Sequence, residues 1–65
     1  MTITVNGESR DLPEGSTLLT LLEHLRLTPD KVAIEVNKRL VRAAKYETIL
    51  KAGDLVEIVT FVGGG

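Results

Sequence analysis

The chain opens on an alternation. Met1, Ile3 and Val5 fall on one face of an extended segment and Thr2 and Thr4 on the other, and the β-branched residues among them predict a first strand. Asn6-Gly7 follows at once; both residues tolerate the positive φ angles of a type I′ turn, so a hairpin into a second strand over residues 8–12 is expected. Pro13-Glu14-Gly15 breaks that strand, and the period then changes. Leu18, Leu21, Leu22 and Leu25 recur at three- and four-residue spacing, with Leu19 widening the stripe, and predict an amphipathic helix capped by Ser16 or Thr17. It should end before Thr28-Pro29, because proline disfavours helical geometry in the residue ahead of it.

Alternation then returns. Val32, Ile34 and Val36 oppose Ala33 and Glu35, and Asn37-Lys38 can turn this strand into a short one around Leu40 and Val41. The stretch "RAAKYETIL" mixes helix formers with strand formers, so irregular structure or one helical turn is expected, pinned to the core by Ile49 or Leu50. Ala52-Gly53-Asp54 is a turn signal. The last predicted strand, Leu55 to Val62, is apolar at nearly every position, as in a strand covered on both faces or central in its sheet. The order is hairpin, helix, hairpin, final strand. An α+β domain with one main helix packed across a mixed sheet of four to five strands buries the leucine stripe economically, with the first and last strands adjacent at the centre. That is the β-grasp, or ubiquitin-like, class, expected to occupy residues 1–62 with Gly63, Gly64 and Gly65 as a flexible tail.

Composition narrows the chemistry. A chain of 65 residues builds one small domain and must pack an efficient core. With no cysteine there is neither a disulfide nor a Cys/His metal cluster, which fits a reducing compartment. Eight basic against nine acidic side chains leave a formal charge of −1, so no strong field invites nucleic acid. The opening residues lack the basic and apolar blocks of a signal peptide, and no apolar run approaches the roughly 20 residues that span a bilayer. A cytoplasmic protein without membrane or nucleic-acid partners is expected.

Side-chain catalysis finds no candidates. His24 is the only histidine, it lies off the leucine stripe, and no Ser, Cys or carboxylate stands around it at triad or metal spacing. His24, Glu23, Asp11 and Glu14 read most simply as surface residues. Lys38, Arg39, Arg42 and Lys45 form a local basic cluster that is either a solvated loop or a steering patch. Strand parity is more informative. With Val56 and Ile58 facing the helix, Glu57, Val59 and Phe61 face away, which makes Val59 and Phe61 candidates for a partner interface; the alternative for Phe61 is that it covers the sheet edge. The glycines that follow are either a linker, a truncation or a working tail.

The segments "MTITVNGE", "AIEVNKRLV" and "GDLVEIVTFVGGG" resemble the ThiS family, the sulfur carriers of thiamin biosynthesis, and the resemblance covers essentially the whole chain. It implies that the carboxylate of Gly65 is the modified group, with Gly64 matching the family's terminal pair and Gly63 an additional glycine. It further implies no bound cofactor; ATP is used by a ubiquitin-activating-type adenylating partner (ThiF-like), a sulfur-donating protein supplies the sulfur, and a thiazole synthase (ThiG-like) receives it. The chain would then be a protein co-substrate with no catalytic residue and no metal. Two other readings share the same features: the small subunit of molybdopterin synthase, and a ubiquitin-like modifier or interaction module.

Overall fold

The computed structural model describes residues 1–61. Strand β1 (Thr2–Val5) turns through Asn6 and Gly7 into β2 (Glu8–Asp11), and both turn residues have positive φ, 50° and 84°, as a type I′ hairpin requires. Helix α1 (Leu18–Leu25) follows, then a single 3₁₀ turn at Pro29–Lys31, β3 (Val32–Val36), β4 (Arg39–Val41), a second 3₁₀ turn at Ala43–Lys45, and β5 (Leu55–Thr60). The β3–β4 turn repeats the first hairpin's geometry with Asn37 at φ 53° and Lys38 at φ 70°. Lysine has no side-chain route to relieve the left-handed region, so the strand pairing on either side must hold it there.

The five strands form one sheet in the order β2-β1-β5-β3-β4. β1 and β5 run parallel, and the other neighbours are antiparallel. With the one main helix, this is the β-grasp architecture. The parallel ladder of β1 and β5 is short, Thr4 opposite Leu55 and Val5 opposite Val56, but Asn6 prolongs it after β1 has turned away. Its Nδ2 donates to the Ile58 carbonyl at 3.2 Å, and its Oδ1 accepts from the Ile58 N–H at 2.8 Å. On the other flank Asn37 Oδ1 accepts from the Leu55 N–H at 3.0 Å. Both hairpin turns thus pin the central strand with an asparagine side chain.

α1 starts where Thr17, in extended geometry, accepts a bond from the Thr20 N–H through its Oγ1. Its end comes from a local device rather than from proline. Arg26 adopts left-handed geometry, its N–H donates to Glu23 O, and the Leu27 N–H reaches back to Leu22 O at 2.9 Å. These paired bonds form a Schellman motif, which satisfies carbonyls the helix would leave bare. Leu18, Leu21 and Leu22 are fully buried against Ile3, Ile34 and Val56 from the three middle strands. Each such side chain contributes roughly 1.5–3 kcal/mol of burial.

The connection from β4 to β5 is less regular and closes the remaining side of the core. Tyr46 and Leu50 are buried, while the Leu19 N–H donates to Tyr46 O and the Leu50 N–H to Ser16 O. Leu50 is therefore the pin; Ile49 is exposed and forms an isolated bridge with Thr17. The last strand also departs from expectation. β5 is central, yet only Val56 and Ile58 are buried, so its apolar composition does not mean cover on both faces. It ends at Thr60, and Val62 lies outside the described residues.

Candidate functional site

The alternation of β5 makes two surfaces. Inward residues close the core beneath α1; outward residues Leu55, Glu57 and Val59 form the middle of an open sheet face. Register extends this face sideways. Val59 stands opposite Ala33, Glu57 opposite Glu35, and Glu35 in turn opposite Leu40 on β4. Val59 is 61% exposed, Leu40 63% and Leu55 46%, a concentration of large apolar side chains in water.

The predicted interface residues Val59 and Phe61 are thus both exposed, Phe61 at 55%, but they line different features. Val59 belongs to the open sheet face. Phe61 follows the strand, where its N–H donates to the Lys31 carbonyl at 2.8 Å, and it borders a groove of about 260 Å³ with Leu27, Thr28, Lys31 and Val32. Arg26 and Lys31 bring positive charge to that groove, whereas the sheet face carries the two glutamates. The expected tail, Gly63, Gly64 and Gly65, lies outside the described residues.

Leu40 and Leu55 were not among the predicted interface residues, although parity with Val59 marks Leu55. For Leu40 the signal is the two-residue turn, which fixes Val36 opposite Arg39 and therefore Glu35 opposite Leu40. Lys38, Arg39, Arg42 and Lys45 are all exposed and none forms an ion pair among the described residues. His24 is exposed in the last turn of α1. Among the described residues no group of three or more His, Cys, Asp or Glu could hold a metal ion, and no helix is long and apolar enough to cross a membrane.

What the molecule offers is therefore an amphipathic central strand whose open side is apolar and acidic, leading within a few residues to three glycines. Comparison with known proteins decides the family. The model of the ThiS family matches residues 3–65. The chain belongs to the ThiS family. The same grouping appears among solved structures: the crystal structure of the thiamine biosynthesis protein ThiS from Geobacter metallireducens superposes with a TM-score of 0.81 at 30% identity, all of each chain being covered. A solution structure of a thiamine biosynthesis protein from Geobacter metallireducens gives 0.80 at 33% identity, covering all of this chain and 88% of that one. Among relatives, a thiazole synthase of Magnetococcus marinus is 42% identical over the whole of this chain, and the protein ycf40 of Porphyra purpurea is 36% identical, with 93% of its length covered. This ThiS-family chain spans only 20% of the length of the thiazole synthases it matches.

Proposed function

We propose that this protein is a cytoplasmic sulfur carrier of thiamin biosynthesis that acts through the carboxylate of Gly65. The observation that carries the reading is the family match, which runs through the glycines to residue 65. A free carboxylate is a poor electrophile because its charge is delocalised and it has no leaving group. An adenylating partner of the ubiquitin-activating type (ThiF-like), using ATP, supplies one by forming the acyl-adenylate and releasing pyrophosphate. A persulfide on a sulfur-donating protein then attacks the acyl carbon and displaces AMP, and a thiol cleaves the acyl disulfide so formed, releasing the thiocarboxylate and leaving a disulfide on the donor side. The resulting thiocarboxylate holds a soft, anionic sulfur that a thiazole synthase (ThiG-like) can accept without free sulfide. The chain itself is a co-substrate and holds no cofactor.

Glycine suits such a tail because, without Cβ, Gly63, Gly64 and Gly65 fit a channel too narrow for other residues. The four residues after Phe61 reach at most about 14 Å at roughly 3.3 to 3.6 Å each. The globule must therefore dock close to the partner's reaction centre, and Val59 and Phe61 are the residues we assign to that docking. A synthase partner is supported by the relatives named thiazole synthase, whose polypeptides include a segment matching this whole chain. The same relatives favour the thiamin branch over the molybdopterin synthase small subunit.

Intact-protein mass spectrometry tests the reading. After incubation with the adenylating enzyme, ATP and a sulfur donor, the protein should gain the mass of one oxygen-to-sulfur replacement, and a variant lacking Gly64 and Gly65 should not. That variant should melt like the wild type, since the last buried residue of the described core is Ile58. A wild-type protein that stays unmodified would refute the carrier role; lysine-linked adducts dependent on Gly65 would establish a modifier instead.

A further inference from the structure

Glu35 and Glu57 are direct partners in the antiparallel ladder of β3 and β5, and both are exposed on the face away from the helix. Opposed residues in such a ladder hold their Cβ atoms about 4.5–5.5 Å apart, and like charges placed there destabilise the sheet. Neither carboxylate has a cation within ion-pair distance: among the described residues the ion pairs are the Met1 amino group with Glu14, and Arg10 with Glu8. Lys38 lines the same depression, of about 320 Å³, beyond ion-pair distance of either glutamate. The free protein thus sets two like charges opposite one another in its sheet, neither of them held in an ion pair.

The surroundings say what would relieve it. Leu40 lies across from Glu35, while Leu55 and Val59 flank Glu57 along β5, so the two charges sit in an exposed apolar frame. A metal ion is a poor occupant, because among the described residues no third His, Cys, Asp or Glu joins the pair, and a cation held by two exposed carboxylates alone keeps most of its water. A guanidinium or ammonium group is a good one. Its several N–H donors can bond both carboxylates at once, and an apolar rim that excludes water strengthens those bonds.

We propose that this sheet face docks a protein partner that inserts one basic side chain, arginine or lysine, between Glu35 and Glu57 and covers Leu40, Leu55 and Val59 with apolar surface. The proposal rests on the carrier reading for the identity of the partner, the thiazole synthase, since the relatives of that name carry a segment matching this whole chain within one polypeptide. Charge complementarity selects the partner's surface, and the apolar frame supplies the contact area.

The test compares wild type with the double variant Glu35→Gln, Glu57→Gln by titration calorimetry against the thiazole synthase, at low and high salt. The double variant should bind it about tenfold more weakly at low salt, with a flattened salt dependence. Its urea midpoint should equal or exceed that of the wild type, because a repulsion has been removed. Unchanged affinity and salt dependence toward the synthase would overturn the proposal, as would failure of the wild type to bind it. A lowered urea midpoint would also overturn it, by making the glutamates structural. Failure of the carrier reading shows separately, as a wild type that gains no sulfur; a wild type that gains sulfur while the double variant binds equally well removes only the acidic contact.

Discussion

Replacing Asn6 by alanine should destabilise the protein far more than its exposed position suggests. The side chain makes both bonds to the Ile58 backbone, at 3.2 and 2.8 Å, and the residue holds φ 50°, in the left-handed region. Losing two hydrogen bonds at about 0.5–1.5 kcal/mol each removes about 1–3 kcal/mol, and alanine in left-handed geometry adds about 1 kcal/mol. The total, about 2–4 kcal/mol, is a large share of a stability that scales to about 3–10 kcal/mol for a chain this long. Urea unfolding followed by circular dichroism measures it: with a slope of about 1 kcal/mol/M, the midpoint should fall by roughly 2 M or more. Asn6→Gly separates the two contributions, since it loses the same bonds but tolerates the φ angle, and should be about 1 kcal/mol less damaging than Asn6→Ala. An alanine variant within about 0.5 kcal/mol of wild type, the range of ordinary surface changes, would refute the claim that Asn6 completes the β1–β5 ladder.

Tyr46 and Thr17 give two further expectations. The Tyr46 ring is buried, but its hydroxyl, which bonds no described residue, meets solvent; Tyr46→Phe should therefore stay within about 0.5 kcal/mol in thermal melts, whereas Tyr46→Ala should cost about 3–5 kcal/mol. Thr17→Ala removes the oxygen that accepts from the Thr20 N–H and should cost about 0.5–2 kcal/mol, with Thr17→Ser restoring most of it; equal stabilities of the alanine and serine variants would show that the cap contributes nothing.

Both hairpins were legible because their turns leave little choice. Asn6-Gly7 and Asn37-Lys38 each allow a two-residue loop, and two alternating runs across such a loop have one register that keeps the apolar face together. The leucine stripe of α1 and the parity of Val56 and Ile58 were equally plain, since each repeats a single period. The helix ends before Thr28-Pro29 as expected, but what stops it is a Schellman motif at Arg26, a residue with no compositional mark. Tyr46 was hidden for a related reason. It sits in a connection without period, and only the bonds to Leu19 and Ser16 on the helix side show that this segment closes the core. The Glu35–Glu57 contact was out of reach as well, because it depends on the pairing of β3 with β5, which are distant in sequence and joined by no tight turn.

The position of β5 bears on how a carrier of the proposed kind would work. A reactive end delivered to an enclosed centre has to arrive in a defined place, since small misplacements of reacting groups cost rate steeply. An edge strand would serve poorly, being held on one side only. β5 has β1 on one flank and β3 on the other, asparagine bonds at Leu55 and Ile58, and a final backbone bond from Phe61 to Lys31. The same strand presents Glu57 and Val59 outward, so the surface proposed to grip the partner lies on the strand that leads toward the glycines in sequence. Docking the sheet face would then fix the position of Phe61 directly, and with it the point from which the four following residues lead to Gly65 over at most about 14 Å.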